Sequence, residues 1–407
     1  MTTASRPRHM IISVFVAFAS FGAFWGVWGA SVPRVQHQAG VTDGQLGMAL
    51  LFVGAGALPA MLLTGRALDR WGLTVAAVAI GTLGVTGAGL ALTAMNLASL
   101  CAGLTLVGAT SGAADVAMNA VAGRAEKITG RPVITRAHGV FSTLVVLASL
   151  ATGLASAQPL AVPFTAVALA SLAACAFLLK TLPASVHGND RTKTAPPDRR
   201  ITPFVLIGVL GALAFASENA HQSWSAVFAH AELRTGLGPS AVAPAVFAGV
   251  VAITRFSIGG LKPDHARTVL LAGASTAAAG TAVIATAPTL LIAALGLAAA
   301  AAGTGVLFPT LLSVVSLNVD ESRRGSATSI VTTVSYLGFL FGPVYVGLWA
   351  DVVGLRGAMF AVAALAAALS LLAPALLRVS GFANPTHRSN NEAARSTPLS
   401  AGQQPCC

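Results

Sequence analysis

Long apolar runs alternate with short polar breaks along almost the whole chain, and each run has the length of a bilayer crossing. Twelve can be delimited, at about 10–31, 44–64, 74–94, 98–122, 133–156, 161–180, 202–224, 240–258, 267–286, 289–315, 326–348 and 357–378. A helix needs roughly 20 apolar residues to span the hydrocarbon core. The thinnest breaks are Met95-Asn96, Gln158-Pro159 and Pro288, which predict tight turns between helices 3 and 4, 5 and 6, and 9 and 10. The pattern predicts an all-α membrane protein with twelve transmembrane helices in two pseudo-symmetric six-helix bundles.

Polar composition places the boundaries. The stretch 182–201 holds His187, Asp190, Arg191, Lys193, Pro196-Pro197 and Arg199-Arg200, and reads as a cytoplasmic linker. It separates an N-terminal bundle, 1–181, from a C-terminal bundle, 202–378. Residues 379–407 are rich in Ser, Asn, Pro and Arg and predict a disordered cytoplasmic tail. The first apolar run is too long for a signal peptide and is expected to stay as helix 1.

Charge tests the helix count. With the N-terminus inside, 20 of the 24 Lys and Arg fall in segments on the inner side; Arg34, Arg234 and Arg356 fall outside, and Arg255 lies within a helix. Such a split is the positive-inside bias of a bacterial inner-membrane protein with both termini cytoplasmic. A miscounted helix would have scrambled it. The formal net charge of +11 therefore reflects topology. The basic residues do not gather on one domain as nucleic-acid binding would require. Only 9% of residues are charged against 55% hydrophobic, too little charge to cover a soluble protein of this size.

No H-E-x-x-H, G-x-S-x-G or Walker A sequence occurs, and no Cys/His cluster has metal-ligand spacing. Neither a cofactor nor an enzymatic activity is expected. Cys101 and Cys175 lie in apolar runs and read as small packing residues.

The informative chemistry is polar groups inside the runs. An ionised side chain at mid-membrane costs roughly 2.5–3.5 kcal/mol on insertion scales and usually faces a bundle interior or a wet cavity. The candidates are Asp115, Glu218, His221 and Arg255, with Arg136 and His138 nearer the inner face. Asp115 and Asn119 are four apart, on one side of helix 4, and Glu218, Gln222 and Ser225 share a side of helix 7. Asp115 and His138 lie at similar depths, so they can face each other across the hairpin of helices 4 and 5. Asp115 reads either as a titrating carboxylate or as half of a static pair pinning those helices. Glu218 reads either as a coupling or binding group or as a structural partner of His221 or of a neighbouring helix. Trp25 offers a stacking surface for a solute or simple interfacial packing, while Trp28 suits an interfacial belt. Gly22/Gly26, Gly108/Gly112 and Gly338/Gly342 have the spacing that lets helices approach closely.

The loop after helix 2 reads Gly65-Arg-Ala-Leu-Asp69-Arg70-Trp71-Gly72. In position and spacing it resembles the signature loop of the major facilitator superfamily, although Leu73-Thr74 replace the usual basic pair. A degenerate second copy follows helix 8, with Arg255 in place and the acid displaced to Asp264. The runs Asp115-Val-Ala-Met-Asn119, Ser217-Glu218-Asn-Ala-His221-Gln222-Ser-Trp224-Ser-Ala-Val227 and Tyr336-Leu-Gly338-Phe-Leu-Phe-Gly342-Pro343 resemble a branch near the fucose-permease-like carriers. The resemblance implies alternating-access secondary transport of a small solute, sugar-like or another polar metabolite, coupled to protons, by a monomer in the bilayer. It implies a gating role for Gly65, Asp69, Arg70, Gly72 and Arg255. Efflux of a drug or natural product, and a non-transporting sensor on a carrier scaffold, are the other two readings.

Overall fold

The computed structural model describes residues 5–131, 133–182, 201–258, 265–319 and 321–382. The linker residues 183–200, the displaced acid Asp264 and the tail from 383 lie outside them. The described residues are helical and contain no strand.

The first six helices are α1 (Ser5–Ala39), α2 (Asp43–Trp71), α3 (Thr74–Thr93), α4 (Leu97–Thr129), α5 (Val133–Leu154) and α6 (Ala161–Thr181). Then come α7 (Thr202–Ala231), α8 (a short turn Leu237–Ser240 running into Val242–Ile258), α9 (Ala266–Thr286) and α10 (Leu290–Asn318). The stretch Glu321–Val379 breaks at Gly354, where φ is 74°, giving α11 (321–353) and α12 (355–379). Among the described residues, eleven helical stretches are long and apolar enough to cross a membrane, and the last, Ser326–Val379, takes in most of α11 and all of α12.

Helix ends follow local chemistry. Thr42 and Gln45 form a capping box at the start of α2, and Asn96 and Ser99 form another at α4. Gly72 and Gly130 take positive φ and end α2 and α4, a conformation glycine reaches without a Cβ clash. Glu126 reaches over the α4–α5 turn, its Oε2 accepting from Val133 N (2.9 Å) and Ile134 N (3.0 Å). The α5 amides would otherwise lack partners.

Two sequence expectations shift. Arg34, expected in a loop, lies in α1, which runs on to Ala39 because Val32 and Val35 are fully buried. Trp28, read as an interfacial residue, is buried at 4% exposure.

Pairing repeats between the halves. In the first, α1 packs on α5, α2 on α4 and α3 on α6. In the second, Gly338 and Gly342 bring α11 against the Ala212 and Ala216 carbonyls of α7. Gly305 sets α10 against Val251 of α8, and Ser275 bonds Ser370 between α9 and α12. All three glycine pairs singled out in the sequence are close helix contacts: Gly22 and Gly26 lie against Phe141 and Val145, and Gly108 and Gly112 against Val53 and Ala57. A Cβ at Gly338 would overlap the Ala212 carbonyl. Gly338→Val is therefore expected to destabilise the fold by about 1–3 kcal/mol through overpacking, read as a lower melting temperature in detergent. Gly89→Val, where a Cβ meets nothing within 4 Å, should leave the melting temperature unchanged.

The two halves meet near the face opposite the chain termini. There Gly47 touches Gly347, a Cβ on either falling 2.8–2.9 Å from the other's Cα, and Gly153 approaches Gly238 O within 2.7 Å of the same construction. Gly44 N at the start of α2 donates to Asp351 Oδ1 of α11 at 2.8 Å. On the terminal face the last two turns of α2, expected from the sequence to be a loop from Gly65, are helical and stand free: a Cβ at Gly65 meets nothing within 4 Å, and Asp69 and Arg70 are exposed. The molecule is closed on the face opposite the termini.

Candidate functional site

The ionisable residues of the spanning helices fall on both halves. On α4, Asn119 Nδ2 donates to the Asp115 carbonyl (2.9 Å) and to Asp115 Oδ1 (3.1 Å). One helical turn thus presents an acid and an amide together, as their four-residue spacing requires. Asp115 has no ion pair among the described residues. Across the seam between the halves, Tyr336 of α11 lies within electrostatic reach of it.

On the other half, Arg255 of α8 pairs with Glu218 of α7. Its Nη2 donates to both carboxylate oxygens, at 2.8 and 2.9 Å, and its Nε donates to Gly305 O of α10 at 3.3 Å. The Arg255 side chain is 42% exposed and Glu218 16%. The Arg255 charge also acts on His138 of α5, which is itself exposed and sits edge-on to Phe18, centroids 5.1 Å apart. Phe256, the residue after Arg255, lies against Gly139. The pair therefore sits beside the other half of the molecule.

Aromatic rings flank the polar groups. Trp25, half-buried, meets Phe21 and Phe24 edge-on. Phe215 packs on Phe308 at 4.2 Å and contacts Tyr336 and Phe339. Phe215 and Phe308 carried no signal in the sequence, because Phe is ordinary in any apolar run.

Other candidates go elsewhere. Asp115 and His138 share no hydrogen bond among the described residues. His221 is fully buried inside the second half, its ring nitrogens 2.6 Å from Ser217 O and 2.9 Å from Thr281 Oγ1, stacked on Phe247. A void of about 20 Å³ beside His221 and Ser225 belongs to that half's own packing. Gln222 is exposed, whereas Ser225 is buried, so the expected α7 stripe stops at Gln222. Asn219 instead pins α7 to Phe339 O, and Trp224 Nε1 donates to Pro343 O at 3.1 Å.

At the end of α2, Gly72 makes the turn, its N donating to Leu68 O at 2.9 Å, and Arg70, in the last turn of the helix, lies 5.5 Å over the Trp71 ring. Asp69 has no hydrogen-bonding partner among the described residues. Arg255, grouped with this loop by sequence, bonds instead to Glu218 and Gly305 O within the second half.

The family model for the Major Facilitator Superfamily matches residues 13–265 and 264–404. The chain belongs to the Major Facilitator Superfamily. An MFS-type transporter of Yersinia pestis is 28% identical over 376 residues, covering 90% of this chain and 96% of that one. A transporter of Sinorhizobium fredii is 29% identical over 354 residues, covering 85% and 92%. Among solved structures, the nucleoside transporter NupG superposes with a TM-score of 0.72 at 13% identity, covering 90% of this chain and 99% of that one. A D-xylose-proton symporter superposes with 0.72 at 14%, covering 90% and 97%. At those identities the superpositions speak for the fold alone. This superfamily member is a multi-pass membrane protein and a secondary transporter, not an enzyme. Its placement near the fucose-permease-like branch rests on the sequence runs alone.

Proposed function

We propose that this carrier moves a polar, sugar-like metabolite across a bacterial cytoplasmic membrane by alternating access, coupled to protons, as a monomer with both termini in the cytoplasm. One observation carries the proton coupling. Arg255 is taken by Glu218 within the second half, while Asp115 of the first half faces Tyr336 of the second. That leaves Asp115 as a membrane-embedded acid whose hydrogen-bonding partner is a neutral amide. Holding such a carboxylate charged away from water is costly, and a proton removes the cost. Exposure to one face and then the other lets it load and release that proton. Arginines and lysines on the terminal face support the orientation. The Asn119 and Gln222 amides and the nearby rings suit a solute with hydroxyl groups and an apolar face.

The test uses the full-length protein in liposomes loaded with a pH-sensitive dye. A panel of sugars, polyols, organic acids and amphipathic drugs is added outside without an imposed gradient. The expected result is a solute-dependent pH change inside that empty liposomes lack. Solute movement measured by isotope with no accompanying proton movement would refute the coupling.

A further inference from the structure

We infer that Arg255 is the recognition point for a carboxylate on the transported solute, with Glu218 as its resident stand-in. This deepens the reading above and rests on it, narrowing the polar metabolite to one that carries an acid group.

The geometry of the pair points this way. A guanidinium matches a carboxylate best as a fork, two nitrogens to two oxygens. Here both Glu218 oxygens crowd onto the single nitrogen Nη2, Nε is occupied by Gly305 O, and Nη1 has no hydrogen bond among the described residues. An incoming carboxylate can take Nη1 and Nη2 together, a better arrangement than the resident one. The guanidinium is reachable, at 42% exposure, while Gly305 O and the α8 backbone fix its position. An ion pair with one member this open is a poor structural pin, since exposed pairs contribute little to stability.

The titratable groups around the pair are His138 on α5, and Asp115 on α4 with Tyr336 on α11 across the seam. The spanning parts of α1 and α10 bring none.

The experiment needs no knowledge of the solute. Glu218→Ala should empty Arg255 of its stand-in, and acetate, the bare carboxylate, should refill it. Acetate is expected to raise the melting temperature of Glu218→Ala by a few degrees and to saturate, with chloride at equal ionic strength doing neither. The double variant Glu218→Ala/Arg255→Ala should lose the response. If Glu218→Ala does not fold, Glu218→Gln serves, read as acetate protection of Arg255 from phenylglyoxal. Equal effects of acetate and chloride, or no effect of either, would overturn the inference. Neither outcome bears on whether wild-type liposomes couple a solute to protons.

Discussion

Asp115→Asn is expected to abolish concentrative, proton-driven transport while leaving exchange of solute across the membrane intact. The substitution keeps the size and polarity of the side chain, and the Asn119 amide can still donate to the remaining oxygen. What it removes is the ability to carry a charge in one state and a proton in the other. A carrier without that ability still alternates with solute bound, because exchange needs no net proton movement. In liposomes with an imposed pH gradient, accumulation should stop at equal concentrations on the two sides. Counterflow of labelled solute should continue at a rate near that of the wild type. Undiminished accumulation against a gradient would show that Asp115 does not couple transport to protons.

The second large effect is expected at the closed face. Gly47→Trp should hold the halves apart there. Its Cβ would lie 2.9 Å from the Gly347 Cα and 3.0 Å from Pro343 O, so no large side chain fits while α2 and α11 touch. The nearby bond from Gly44 N to Asp351 Oδ1 would be lost with the contact. A carboxylate at a helix N-terminus stabilises by about 0.3–1 kcal/mol in exposed positions, so Asp351→Ala should shift the same equilibrium only a few-fold. A reporter cysteine at Gly29, whose Cβ would meet Pro244 across the seam at 3.5 Å, reads the result. With Cys101, Cys175, Cys406 and Cys407 replaced, it should resist maleimide in the parent protein and react in Gly47→Trp. A reporter that stays unreactive would mean the seam does not part at this face.

Much of this was legible in the chain. Apolar run length set the helix count, and the split of arginine and lysine fixed which loops share a face. The turn before α12 shrank to Gly354 because a single positive-φ residue suffices to redirect the chain. Partnerships were harder to read. Glu218 and Arg255 are 37 residues apart on different helices, and periodicity assigns a face without naming the neighbour that fills it. His221 shows the limit. Three residues from Glu218 on the same helix, it is turned roughly 60° away, enough to bury it against Thr281 instead of the seam. Asp115 and His138 matched in depth, but depth alone does not make two helices present their side chains to each other.

The proposed mechanism requires two halves that open in turn around Asp115 and Glu218. Electron-spin distances measured on one sample at two faces test this most directly. One label pair joins Arg66 and Arg267 on the terminal face, and another joins Met95 and Leu291 on the opposite face, all four positions being exposed. Measured at acid and at alkaline pH, the two distances are expected to change in opposite senses, one pair closing as the other opens. Distances that stay fixed at both faces, or that lengthen together, would contradict it.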